Sequence, residues 1–186
     1  MDPAVLNWPC GEDPFLLRIG ELEALDDLTA EGVLDLRWRL AQGAHRGSLA
    51  YAPVKVREVI ACLRLGLIGA GMDRATAERK SRQAFEEGDI GALNLIAFTI
   101  LSNAFAGKEH DPVGRRKRGG DGEGQRIRFS RLYGNGVALG FTPAQVKEMS
   151  MWELTACLDG WNRAQGAGIA ITAIRSLTKS MTRLLR

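Results

Sequence analysis

Residues 53 to 73 read Pro-Val-Lys-Val-Arg-Glu-Val-Ile-Ala-Cys-Leu-Arg-Leu-Gly-Leu-Ile-Gly-Ala-Gly-Met-Asp, and the apolar spacing within them decides the fold class. Val56, Val59, Ile60, Leu63 and Leu67 fall at i, i+3, i+4, i+7 and i+11, the period of one apolar stripe on an α-helix. Pro53 suits the first turn of that helix, where its missing N–H costs nothing. Gly66, Gly69 and Gly71 weaken the far end. Asp73 then supplies an N-cap for a following helix in which Glu78 and Arg82 stand one turn apart.

The same period extends outward in both directions. Upstream, Leu22, Leu25 and Leu28 mark a helix after Gly20, and Val33 to Gln42 marks another, with Gly43 to Tyr51 as a loop. Phe15 to Ile19 reads as a short strand or extended lead-in. Downstream, Asp89 caps a helix carrying Leu93, Ile96, Ile100 and Leu101. Beyond residue 125, Phe129 to Leu139 reads as helical despite Gly134 and Gly136. Thr142-Pro143-Ala144-Gln145 combines a cap, a first-turn proline and a reciprocal glutamine, and Ser150-Met151-Trp152-Glu153 repeats the capping box for a helix to about Gln165. The expected fold class is therefore mostly α, with at most one small N-terminal strand or hairpin.

The 186 residues suffice for one compact domain or two small ones, and 45% hydrophobic content argues against a disordered chain. Charge divides the chain. Residues 1–107 hold 11 basic and 15 acidic side chains, a net of −4; 108–131 hold 8 and 4, a net of +4; 132–186 hold 6 and 3, a net of +3. Between Lys108 and Gln125 the only apolar residue is Val113, too little to offset the entropy of ordering that segment. The expected organisation is a helical module over 1–107, a flexible charged linker over 108–125, and a second small helical module over 126–186. The tail from Ile169 sets Ile174, Leu177, Met181 and Leu184 on a stripe apart from Arg175, Lys179 and Arg183, a pattern for docking on a partner, on its own domain or weakly on an anionic surface, of which docking on protein is the plainest.

Cys10, Cys62 and Cys157 are odd in number and far apart, so neither a CxxC pair nor a disulfide framework is expected, and a reducing, cytoplasmic setting fits. No secretory signal is expected from Met1-Asp2-Pro3, and the apolar run from Ile90 to Leu101 is too short for a membrane span.

Catalytic material is scarce. His45 and His110 have no ligand-spaced companions. Gly66-Leu67-Ile68-Gly69-Ala70-Gly71 has GxxGxG spacing after a helix, not the dinucleotide fingerprint after a strand. Gly134 to Gly140 lacks a Walker lysine. Glu21, Glu23, Asp26, Asp27, Glu31 and Asp35 read as a solvated acidic face between Leu22, Leu25 and Leu28. No catalytic residue, metal site or cofactor is expected, and the protein is expected not to be an enzyme. Arg115, Arg116, Lys117 and Arg118 are weak nucleic-acid candidates; no aromatic interleaves them and Asp111, Asp121 and Glu123 flank them. Trp38, Trp152 and Trp161 are expected to pack between helices, with recognition more plausible for Trp152 and Trp161 because they adjoin the linker.

Two stretches carry a family resemblance. Gly11-Glu12-Asp13-Pro14-Phe15-Leu16-Leu17-Arg18-Ile19-Gly20-Glu21-Leu22-Glu23-Ala24-Leu25, continued by Val56-Arg57-Glu58-Val59-Ile60 and Leu65-Gly66-Leu67-Ile68-Gly69-Ala70-Gly71-Met72, resembles the gene-transfer-agent family of tailed-phage proteins, described as tail-tube related or as tail assembly chaperones. That likeness covers roughly Asp13 to Phe105. Phe141 to Leu154 is similar to the small tail assembly chaperones encoded near the tape-measure protein, with Met149, Trp152, Glu153 and Leu154 matching.

The resemblance implies a non-enzymatic, mostly helical chaperone that binds tape-measure protein, tail-tube subunits or both, and is absent from the finished particle. Some such systems join two modules, which suits this chain, although the long basic linker and the segment from Ile169 depart from the pattern. Leu22, Leu25, Val59, Leu63, Trp152, Leu158 and Trp161 are the candidate protein-binding residues. A homo-oligomer is compatible, and no membrane partner is expected. The alternatives are a structural tail component, as a tube or terminator subunit, and a nucleic-acid-binding regulator.

Overall fold

The computed structural model describes residues 2–106 and 126–165. Arg115, Arg116, Lys117 and Arg118, with the rest of the expected linker, and the amphipathic tail from Ile169 lie outside the described residues.

Strands β1 (Ala4–Trp8) and β2 (Gly11–Phe15) form an antiparallel hairpin in which Ala4 faces Phe15 and Trp8 faces Gly11. Gly11, at φ 103°, takes the left-handed backbone that closes the turn. Trp8 and Phe15 bury their rings edge to face, with centroids 5.3 Å apart. The strand thus lies earlier than Phe15 to Ile19. Beyond Phe15 the chain bonds to a helix instead: the Leu16 N–H donates to the Gly66 carbonyl at 2.9 Å. Gly-Glu-Asp-Pro carries no apolar alternation, so the sequence pattern points past this strand.

Five helices follow: α1 (Ile19–Leu28), α2 (Val33–His45), α3 (Val56–Gly69), α4 (Arg74–Glu87) and α5 (Ile90–Ala106), with a 3-10 turn at Leu49–Tyr51 between α2 and α3. α2 therefore runs three residues beyond Gln42, and His45 ends a helix where a loop was expected. α3 is the hub, packing against β2, α1, α4 and α5. Val59, Cys62, Leu63 and Leu67 are buried, while Val56 at the start of the stripe is exposed. Pro53 lies ahead of α3, and Lys55 takes the cap position, its N–H donating to Glu58 Oε2 at 3.1 Å.

The glycines of α3 do more than end a helix. A Cβ on Gly69 would lie 2.2 Å from the Leu16 carbonyl oxygen, and one on Gly66 would lie 3.0 Å from the Phe15 ring. They let the segment after β2 lie directly on the helix backbone. Asp73 accepts the Thr76 N–H and Asp89 the Ala92 N–H, each at 2.9 Å, as caps.

Past residue 125 come α6 (Phe129–Ala138), α7 (Pro143–Glu148) and α8 (151–165). The Thr142–Gln145 capping box forms, and Ser150 and Glu153 make the same reciprocal pair: the Ser150 N–H reaches Glu153 Oε2 at 2.7 Å and the Glu153 N–H reaches Ser150 Oγ at 3.2 Å. A Cβ on Gly136 would meet Val146 Cγ2 at 2.3 Å, so only glycine lets α6 close on α7. These three helices pack on α1 around a small second core of Ile19, Val146 and Leu154, while Ile127, Phe129 and Met151 also touch the main core.

Candidate functional site

The region where the later helices meet α1 holds most of the polar chemistry that joins distant parts of the chain. Asp26, expected on a solvated face, is buried at the end of α1. Its Oδ1 accepts the Val33 N–H at 2.9 Å, capping α2, and its Oδ2 accepts Arg126 Nε at 2.6 Å. The Arg126 guanidinium also donates to the Asp26 carbonyl at 2.8 Å. One carboxylate thus ties α1, the start of α2 and the chain entering α6.

Further along α1, Tyr133 Oη donates to Glu23 Oε2 at 2.5 Å, and Arg18 pairs with Glu148 at 2.9 Å. Burial raises the Tyr133 phenol, and the Glu23 carboxylate beside it raises it further. The Ile19 N–H donates to the Met149 carbonyl at 2.9 Å, one of the orphan donors of the α1 N-terminus. Glu21 satisfies another, accepting the Arg18 N–H at 3.1 Å. The acidic row from Glu21 to Asp35, which runs past the end of α1 into α2, is therefore split: its inward members hold the later helices, the caps and Arg39, and only Asp27 on α1 and Glu31 beyond it stand in solvent.

A second polar cluster locks α2 to α3. Glu58 is fully buried and accepts from both terminal nitrogens of Arg39, at 2.9 and 3.2 Å, and from the Lys55 N–H. Arg39 also bonds Asp35 at 2.5 Å. Burial pushes the Glu58 carboxyl up, but the Arg39 and backbone donors outweigh it and hold it below its ordinary value. The hairpin has its own latch: Asp13 accepts from Trp8 Nε1 at 2.8 Å and from Lys80 of α4 at 2.7 Å. Among the described residues these partners pair each buried carboxylate, Asp13, Asp26 and Glu58, with a structural donor, an arrangement that holds helices together rather than one poised for proton transfer. Among the described residues no group of three His, Cys, Asp or Glu side chains is placed to hold a metal ion. No helix there is long and apolar enough to cross a membrane.

The candidate protein-binding residues separate by burial. Leu22, Leu25, Val59 and Leu63 are core residues closed to any partner of the folded chain, because the stripes that carry them face α3 and its neighbours. Leu158 packs on the second core and Trp152 is half-buried, while Trp161 is 45% exposed on α8. Trp38, expected between helices, instead points outward from α2 and is 47% exposed. The inward stripe of α2 is filled by Val33, Leu36 and Leu40, which puts Trp38 on the opposite side. Asp26–Arg126 and Glu23–Tyr133 were not legible, since partners 100 and 110 residues apart leave no local pattern.

Fold and site together define a mostly helical protein with a small leading hairpin, built around one buried hub helix. Residues 3–107 match the family model described as phage tail tube protein, GTA-gp10, which spans more than half of the chain, and the chain belongs to that family of phage tail proteins. The match takes in the hairpin and α1 to α5; the likeness of residues 141–154 to small tail chaperones has no such support. No curated protein and no solved structure matches the chain.

Proposed function

We propose that the protein is a non-enzymatic tail assembly chaperone that binds tape-measure protein, tail-tube subunits or both while a phage-like tail is built. The observation that carries this reading is the fold within the family-matched segment. Its sheet is a two-stranded hairpin whose strands each have five residues, set on five helices. A tube subunit normally calls for extensive interlocking sheet and ring closure, and this two-stranded hairpin offers little edge for either. A small helical body with exposed aromatics suits transient binding to another protein.

In this reading 1–107 is the family module, 108–125 a linker and 126–186 a second module that adds α8. Trp161 is the most accessible client-facing anchor of α8, with half-buried Trp152 on another side of the helix and Leu158 set against the second core. The second reading, a tube or terminator subunit, is favoured by the description of the family itself. Co-expression with the tape-measure and tube proteins of the same tail separates the two. The chaperone reading expects a soluble complex with one of them and no self-assembled tubes. Long tubes formed by this chain alone would overturn it.

A further inference from the structure

The outward faces of α2 and α5 meet at Arg37. Its guanidinium carbon lies 5.9 Å from the centroid of the Phe98 ring, and its Nε donates to Ser102 Oγ at 3.4 Å. On α2, Leu34 and Trp38 stand four residues apart on the solvent side of Arg37 and are 37% and 47% exposed. On α5, Leu95 lies one turn from Phe98 and is 50% exposed. The four apolar side chains thus flank one cation across two packed helices.

The charge pattern of α5 is unusual for a helix with a solvent face. Its 17 residues contain no charged side chain, so the exposed positions Ala92, Leu95 and Ala106 are neutral. A surface helix ordinarily places charges outward, as α4 does with Arg79, Arg82 and Glu86. Depletion of charge together with Trp, Phe and Arg is the composition of an interface core.

We propose that this α2–α5 ridge docks a single apolar helix of a partner protein, which brings a carboxylate to Arg37. Charge selects the occupant. The one carboxylate within α2 and α5 is Asp35, and it is turned away to Arg39. Arg37 is thus the charged side chain of the ridge itself, set against Phe98 and Ser102, and no carboxylate of either helix pairs with it. The chain's own tail, with Arg175, Lys179, Arg183 and Arg186 and no acidic residue after Asp159, has the wrong sign. A second copy packed ridge to ridge brings two Arg37 cations together with no carboxylate between them. The partner helix is the client of the chaperone, so this inference rests on that reading.

The test uses the full-length chain co-expressed with the tape-measure and tube proteins of the same tail. Trp38→Glu/Leu95→Glu is expected to lower client capture at least tenfold, and Arg37→Glu about fivefold, with helical circular dichroism and melting temperature unchanged. Trp38 replaced by a photo-crosslinking phenylalanine analogue, which leaves the rest of the ridge native, is expected to attach to an apolar client segment containing Asp or Glu. Full capture by both ridge variants, or crosslinking to a second copy or to residues 166–186, would overturn the ridge. If capture survives those variants but is lost in Trp152→Ala/Trp161→Ala, the ridge falls and the chaperone reading stands. Failure of the unmodified chain to bind either client removes both.

Discussion

Replacing Glu58 by glutamine tests whether the α2–α3 lock carries the hub. The change keeps the shape of the side chain, removes its charge and turns one acceptor oxygen into a donor. In the native protein that carboxylate accepts the two Arg39 nitrogens at 2.9 and 3.2 Å and the Lys55 N–H at 3.1 Å, with no exposure of its own. Breaking a fully buried ion pair costs about 3–5 kcal/mol. Arg39 retains 16% exposure and its bond to Asp35, which lets water and a second carboxylate recover part of the loss. The expected cost is therefore about 2–3 kcal/mol at pH 7, a fall in melting temperature of roughly 5–10 °C for a chain of this size.

The pH dependence separates charge from shape. Because the folded-state carboxyl of Glu58 lies below its ordinary value, its contribution is complete above the unfolded value and is lost as the pH falls through the folded one. Wild-type and Glu58→Gln denaturation curves in urea should differ most at pH 6 to 7, begin to converge below about pH 4.5, where the unfolded carboxyl takes up its proton, and meet only once the pH has fallen through the lower folded value. The m-value should not change. A difference below about 0.5 kcal/mol at pH 7, or one that stays constant down to pH 3, would refute the assignment of Glu58 as the charged lock.

Three other outcomes follow from the same geometry. Gly136→Ala places a methyl 2.3 Å from Val146 Cγ2 and should loosen α6 from α7 at a cost of about 1–3 kcal/mol, seen as faster amide exchange in 129–148 with α3 still protected. Tyr133→Phe removes the bond to Glu23 and should cost about 1 kcal/mol by urea denaturation, because the pair is only partly buried. Cys62 is fully buried and its thiol is pushed up to about 12, so it should react with a thiol reagent only as the protein unfolds, whereas half-buried Cys157 should react in the native state. Peptide mapping of the labelled chain reads both sites, and native labelling of Cys62 would contradict the burial of α3.

The sequence carried the helices well because each announces itself locally. The α3 stripe, the Asp73 and Asp89 caps and the paired boxes at Thr142 and Ser150 all stand where their residues point. It carried the hairpin poorly, since β2 contains Gly11 and Pro14 and is held by the Trp8–Asp13–Lys80 latch, which joins residues 67 positions apart. The acidic row of α1 misled for a related reason: helical period separates wet from dry faces, but Asp26 lies where Arg126 covers a wet-looking position. Trp38 shows the converse error. An aromatic within a leucine-rich helix invites a core assignment, yet its register sets it opposite Leu36 and Leu40. Apolar type alone could not show that Leu22 and Val59 face inward while Trp161 faces out; that required the packing partners.

The central claim, a chaperone that acts on the tail and leaves it, is tested most directly by quantitative mass spectrometry on purified particles alongside a pull-down from the cells that assemble them. The account predicts this chain in complex with tape-measure or tube protein in the cells, and fewer than about one copy per particle, far below a ring of subunits. Recovery of the chain from washed particles in a fixed multiple matching the tail ring would contradict it and make the protein a structural subunit.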